Sequence, residues 1–320
     1  MNGSGREAGQ AAGQESSDES SITDLQSASD SRPSEMAEPI IDWFAENGRD
    51  LPWRRPGFSA WGTLVSEFML QQTPVVRVIP RLLEWLERWP TPADLAAVPP
   101  GEAVRAWGRL GYPRRALALH ACATAIAAEH GNEVPEDVEV LLGLPGIGPY
   151  TARAVAAFAY GHRHPVVDVN VRRVLARAVD GLGQPGPART TQDLASMDAH
   201  LPGGIREARA FNAGTMELGA IVCTARAPRC DECPISALCA WRAAGYPEFT
   251  GPRTPVQKRY EGSDRQARGR ILGELRSTNI PIGGAALTKL IPDPDQRDRS
   301  VAGLLADGLI VDTTDGYALP

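Results

Sequence analysis

Apolar residues recur every three or four positions through most of the chain, the spacing that buries one face of an α-helix. The segments EPIIDWFAENG, LVSEFMLQQ, RVIPRLLEWLERW, ADLAAV, EAVRAWGRL, RALALHACATAIAAEHG and VEVLLGL follow one another in this way between residues 38 and 144. Gly or Pro punctuates most of the gaps between them. No alternating strand pattern occurs before about residue 300, so the main body is predicted to be all-α. From Gly245 to Gly262 the periodicity lapses into a polar, proline-containing stretch, read as a linker over residues 247–262. Beyond it, RQARGRILGELRS, GAALTKLI and RDRSVAGLLADG predict three short helices, and LIVDTTDGYAL a hairpin with Asp-Gly at its turn. Together these form a small winged-helix-like unit over residues 263–320.

Residues 1–36 break the pattern. They are rich in Ser, Gly and Gln and hold seven acids against two arginines, which is −5 of the chain's net charge of −6. So little apolar content predicts a disordered acidic leader. Charge therefore does not argue against an anionic partner for the remainder. There is no run of about 18 apolar residues, so no membrane span is predicted. The N-terminal residues lack the basic-then-apolar layout of a secretory signal, and the chain reads as soluble and intracellular. Of the 33 basic residues only Lys258 and Lys289 are lysines, so no amine side chain precedes residue 258.

Four cysteines carry the strongest chemical signal. Cys223, Cys230, Cys233 and Cys239 follow one another closely, spaced C-x6-C-x2-C-x5-C. In an intracellular chain this argues for metal rather than disulfides. One close pair with two longer arms suits an iron–sulfur cluster better than the paired C-x2-C spacing of structural zinc, although spacing alone leaves both open. Cys122 stands apart on an apolar helical face, and is read as a core residue.

Two acids and one bare turn are the remaining candidates. Glu67 lies within the apolar run LVSEFMLQQ, where it is either on a solvated face or in a partly dry pocket. A dry pocket would favour its protonated form, as a general acid requires. Asp168, in VVDVN ahead of the helix VNVRRVLARAV, is either an N-cap or a functional carboxylate. In LPGIGPYTARAV, Gly146 and Gly148 would let backbone amides approach an anion at a helix N-terminus, or merely form the loop leading into that helix. Tyr150 at its exit is either a packing aromatic or part of a site. Gln71 falls one turn from Glu67 on the same helical face, with Gln72 and Thr73 ending the helix before Pro74.

The cysteine spacing, downstream of a glycine-rich hairpin and an aspartate, resembles the endonuclease III-like superfamily of DNA glycosylases from about Glu38 to Tyr246. Within it, SE-x-MLQQT resembles the adenine glycosylase branch, MutY. The resemblance implies a two-lobed helix–hairpin–helix fold. A six-helix barrel would span residues 55–162, and residues 37–54 with 163–246 would form an iron–sulfur lobe. It implies a [4Fe–4S] cluster on Cys223, Cys230, Cys233 and Cys239, with Arg226 and Arg229 presented to DNA phosphate. Glu67 would protonate adenine at N7 and Asp168 would stabilise the cationic sugar, assisted by Asn170 and Tyr150. Gly146 and Gly148 would hold a DNA phosphate, and Gln71, Gln72 and Thr73 would contact the base opposite adenine. Tyr112 would wedge into the base stack, although the second tyrosine usual there is Pro113. Arg49, Leu51, Trp53 and Arg54, in RDLPWR, would help build the adenine pocket. Members that also cut the strand carry a lysine where this chain has Tyr150, so the resemblance implies base removal without strand cleavage.

The partner implied is double-stranded DNA with adenine opposite 8-oxoguanine or guanine, acted on by a monomer in the cytoplasm, at the nucleoid. Many relatives add a C-terminal 8-oxoguanine-recognition domain. The residues after Cys239 do not resemble one, so a short form is expected. Two other functions fit parts of the pattern: a thymine glycosylase for T·G mismatches, and an iron–sulfur DNA-binding regulator. The second would need neither Glu67 nor Asp168.

Overall fold

The computed structural model describes residues 34–252 and 259–320. Nearly all of the leader read from residues 1–36, and part of the 247–262 linker, lie outside the described residues.

Helices dominate. The first eight are α1 (Ala37–Asn47), α2 (Ala60–Leu70), α3 (Val75–Arg88), α4 (Pro92–Ala96), α5 (Pro100–Trp107), α6 (Arg114–Glu129), α7 (Val138–Leu142) and α8 (Pro149–Phe158). They are followed by α9 (Val169–Ala178), α10 (Thr190–His200), α11 (Ile205–Ile221), α12 (Ala240–Ala243), α13 (Asp264–Ser277), α14 (Gly284–Leu290) and α15 (Pro294–Ala306). Their starts follow local chemistry. Ser59, Asp137, Asp168, Ser263 and Asp293 each accept an amide of the first turn, and Thr91 with Asp94 forms a reciprocal capping box.

The apolar residues sort into two large cores. The first is built from α2 to α8, with Phe68, Leu64, Leu82, Leu119 and Ile126 fully buried. Trp85 meets Trp89 and Trp107 edge-on at 4.7 and 5.8 Å between ring centroids, a favoured aromatic geometry. Helix α2 is its centre: every residue from Trp61 to Met69 is buried. A helix enclosed on all sides has no solvated face, which removes that alternative for Glu67. The second core joins α1, α9, α10 and α11 through Ile40, Val171, Met197, Phe211 and Leu218. Here α1 packs on α11 and α11 on α9, so the chain's beginning is gathered into its later half. A small cluster of Ala154, Ala157 and Val166, flanked by Tyr150, Phe158 and Met216, lies where α8 meets this second half.

The tail is not a separate body. Ile271, Leu272, Leu275, Leu304, Leu309 and Ile310 belong to the first core. Arg105 of α5 donates Nη1 to the carbonyls of Leu275, Arg276 and Thr278 at 3.1, 2.8 and 2.9 Å, occupying acceptors that the end of α13 leaves open. Arg276 returns a bond from Nε to the Val104 carbonyl at 3.0 Å, and burial pushes its pKa down to about 10. The hairpin pairs β1 (Val311–Thr313) with β2 (Gly316–Ala318) antiparallel. Its loop is Thr314-Asp315, so the Asp-Gly pair straddles the loop's exit instead of its centre. Ile282, between α13 and α14, makes an isolated antiparallel bridge to Tyr317 that ties the hairpin to these helices.

Candidate active site

Glu67 is 6% exposed within the buried stretch Trp61–Met69 of α2, which packs against α8. Burial pushes its carboxyl up to about 7, because a dry setting disfavours the charged form. The Tyr150 hydroxyl beside it, a donor, favours the ionised form and opposes the rise, while the charge of Asp168 adds to it. The same group of three raises Tyr150 well above its ordinary value, through burial first and then the two neighbouring carboxylates. Glu67, Tyr150 and Asp168, at positions 67, 150 and 168 along the chain, thus meet at one place.

Asp168 is an N-cap as well as a member of this group. Its Oδ1 accepts the amides of Asn170 and Val171, both at 2.8 Å, and its Oδ2 accepts Asn170 Nδ2 at 2.7 Å. Burial raises its pKa, and these bonds with the Arg173 charge oppose the rise. Arg173 then holds Asn170: its Nη2 donates to Asn170 Oδ1 at 2.7 Å and to the Gly219 carbonyl at 2.6 Å, and its Nε to the Cys223 carbonyl at 2.7 Å. Gly219 permits this, since a Cβ there would stand 2.7 Å from both the Cβ and the carbonyl oxygen of Asn170. Asn170, Arg173 and Arg177 share one face of α9 at helical spacing. Arg177 donates to Cys223 Sγ at 3.3 Å and to the Thr224 carbonyl at 2.8 Å.

The bare turn lies between α7 and α8, which together form the helix–hairpin–helix. Gly146 needs to be glycine on two counts. Its φ is +76°, and a Cβ would press on Ala118 Cβ at 2.8 Å and Phe68 Cε1 at 3.1 Å; only a residue without a side chain tolerates both. Gly148 is different: its φ is −104°, it caps α8, and nothing lies within 4 Å of where its Cβ would be. Its surroundings are open, and the first-turn amides of α8 carry the positive end of a helix.

Known proteins are similar to this chain. Residues 65–197 match the family model of the HhH-GPD superfamily base excision DNA repair protein. The adenine DNA glycosylase of Mycobacterium tuberculosis (strain ATCC 25618 / H37Rv) is 53% identical over 284 residues, 88% of this chain and 92% of that protein. Its counterpart in Mycolicibacterium smegmatis (strain ATCC 700084 / mc(2)155) is 56% identical over 278 residues, 87% of this chain and 93% of that protein. The chain belongs to the adenine DNA glycosylase family. Among solved structures, a thermostable thymine-DNA glycosylase is similar at a TM-score of 0.59 and 26% identity, over 65% of this chain and 95% of that one.

The iron–sulfur motif of this adenine DNA glycosylase family member also has a match: residues 223–239 fit the iron-sulfur binding domain of endonuclease III. The donor set agrees. Cys223, Cys230, Cys233 and Cys239 are all free thiols and lie near enough for the other three to act on Cys233, whose thiol burial pushes up to about 11. Four thiolates suit an iron–sulfur cluster, and the cofactor is a [4Fe–4S] cluster. Cys122 is fully buried, as its apolar setting predicts, and burial pushes its thiol up to about 12.

The other residues read from the sequence occupy varied settings. Helix α2 ends at Leu70, so Gln71 is its C-cap and not its last turn. Gln72 is exposed and Thr73 buried, with its hydroxyl engaged by the Leu110 carbonyl at 3.3 Å and Arg115 Nη2 at 3.2 Å. Tyr112 is 49% exposed. Leu51 is buried and Trp53 packs on the first core. Arg49 and Arg54 are not free. Arg49 Nε and Nη2 reach Glu217 of α11 at 2.6 and 2.8 Å, and Arg54 Nη2 reaches it at 2.9 Å. Burial pushes Glu217 up, but these bonds overcome it and bring the carboxyl to about 2. Arg226 is exposed, while Arg229 pairs with Glu232 at 2.6 Å and donates to the Ile221 carbonyl at 2.7 Å. Sequence reasoning missed Glu217, Arg115, Arg173 and Arg177. Only Glu217 had a signal, an acid inside the apolar run MELGAIV, the kind that singled out Glu67.

Proposed function

We propose that this chain excises adenine from duplex DNA by hydrolysing its N-glycosidic bond opposite 8-oxoguanine or guanine, and leaves the strand intact. Membership of the adenine DNA glycosylase family supports adenine as the base. The observation that carries the reading is the buried Glu67, with a pKa of about 7, beside Asp168 and Tyr150. A carboxyl with that pKa is protonated in about half of the molecules at neutral pH and can give its proton to a leaving purine. Asp168 supplies the opposite need. Two amides and Asn170 hold its ionised form, against which positive charge on the sugar can develop. The target base reaches such a buried acid only by leaving the stack.

Within this reading Tyr150 orders the two carboxyls and offers no amine, so no Schiff base forms with the sugar. Gln71, Gln72 and Thr73 sense the opposite base, Tyr112 fills the gap in the stack, and Gly146 and Gly148 seat a phosphate. The 49–54 segment, pinned by Glu217, walls the adenine pocket. Cys223, Cys230, Cys233 and Cys239 would hold the cluster, which ties the loop bearing Arg226 and Arg229 to the fold. The protein acts as a monomer in the cytoplasm, at the nucleoid.

The test is single-turnover assay of wild type on duplexes bearing A·8-oxoG, A·G and T·G, with and without alkali. Adenine release from the first two, strand breakage only after alkali, and no borohydride-trapped complex are expected. Equal breakage without alkali, together with trapping, would refute the intact-strand assignment. The T·G duplex tests a second reading, which the similarity to a thymine-DNA glycosylase favours. Thymine release exceeding adenine release would establish it.

A further inference from the structure

Two non-glycine residues near the proposed DNA-facing edge hold the left-handed backbone conformation: Gln72 at φ 55° and Tyr112 at φ 47°. Side chains disfavour that region, so each persists only where its surroundings enforce it. The two residues lie in different loops, one after α2 and one between α5 and α6. A single side chain reaches both loops.

Arg115, in the first turn of α6, donates Nη1 to the carbonyls of Phe68 at 2.8 Å, Met69 at 3.4 Å and Gln71. Its Nη2 donates to the Thr73 hydroxyl and to the Gly111 carbonyl, both at 3.2 Å. The guanidinium carbon lies 5.3 Å from the centre of the Tyr112 ring and 5.4 Å from that of Trp107, within reach of a cation–π attraction. The two loops are also tied directly, since the Thr73 hydroxyl reaches the Leu110 carbonyl at 3.3 Å. Carbonyls at the end of α2 that lack helical partners, the residues flanking Gln72, and the Tyr112 ring therefore share one planar cation.

We propose that Arg115 is the positioning residue that joins the Gln71–Thr73 turn and the Tyr112 loop into one block, so that sensing the opposite base and wedging the duplex are a single coupled event. This rests on the reading of Gln72 and Tyr112 as DNA-contacting residues. A lysine cannot replace the fork, because one ammonium with three donors does not span acceptors on both loops. Arg115 makes no hydrogen bond to Glu67, Tyr150 or Asp168 among the described residues. Its loss is expected to alter recognition and to spare the chemical step.

The experiment uses iron-loaded R115K, Q72A, Y112A and their pairwise combinations in single-turnover adenine release from A·8-oxoG and A·G duplexes, across enzyme concentration and pH. R115K is expected to raise the half-saturating concentration and to shrink the A·8-oxoG preference, each roughly 10-fold. Its rate at saturation and the position of its pH break stay near wild type. Q72A and Y112A are expected to be non-additive beside Arg115 and additive in R115K. Should R115K yield too little folded protein, Thr73→Val removes one tie and shifts the preference in the same direction by a smaller factor. An unchanged preference in R115K or in Thr73→Val would overturn the proposal. So would a fall confined to the saturating rate, or coupling that persists in R115K. If Q72A and Y112A by themselves leave affinity and preference intact, the DNA-contact reading fails and the proposal falls with it, a pattern distinct from the others.

Discussion

The hydroxyl of Tyr150, at the second position of α8, lies against the carboxyl of Glu67 in α2, and each shifts the protonation of the other. The phenol holds the acid's pKa below what burial would impose, and the acid, when ionised, keeps the phenol protonated. The proposed proton delivery near neutral pH needs that balance, because a carboxyl raised too far would release its proton reluctantly.

The first prediction concerns that proton. With Glu67 at about 7, single-turnover adenine release should be greatest below that pH and fall as pH rises through it. Glu67→Gln should lower the rate by roughly 100-fold or more and erase the break, while leaving duplex affinity near wild type. A profile flat from about pH 6 to pH 9 in wild type would assign the acid to another group.

Glu217 provides a stability test. Its carboxyl, at about 2 when folded and ordinarily 4.5, favours the folded state fully above the ordinary value, and that contribution is lost as pH falls toward the folded one. Arg49 is 38% exposed. Solvent therefore screens part of the interaction. Glu217→Gln should cost about 2 kcal/mol at pH 7 by urea unfolding, and much less at pH 3. An equal loss at both pH values would mean that packing, not charge, holds the 49–54 segment to α11.

The cluster gives a third. The purified protein should be brown with about four irons per chain. Cys230→Ser should lower soluble yield and iron content together, because a ligand set that loses one thiolate loses the link closing the 223–239 loop. Stoichiometric zinc in a colourless wild-type preparation would contradict the cofactor assignment.

Much of the local structure could be read from the chain because it depends on neighbours in sequence. Helical periodicity gave α1 to α7, and the Asp168 cap is set by amides two and three residues away. The Asp-Gly hairpin was legible in kind but displaced by a residue, since loop length depends on the pairing of Val311 with Ala318. Glu67 illustrates the boundary. Its place in an apolar run is a sequence fact, but whether the helix was enclosed depended on α8 and the rest of the first core packing around it.

The order of residues along the chain settled which chemical groups are available: two carboxyls, four clustered thiols, a hairpin glycine, and no lysine before residue 258. What those groups became was fixed by packing between distant segments. Packing brought Glu67, Tyr150 and Asp168 together, paired Arg49 and Arg54 with Glu217 far along the chain, and spread Arg115 across two loops. It also merged the tail into the first core. The physical reason is range. Helix periodicity, caps and turns are set within about one turn of chain, whereas desolvation and the pairing of charges depend on everything that packs nearby, and no local pattern records which distant segment that will be.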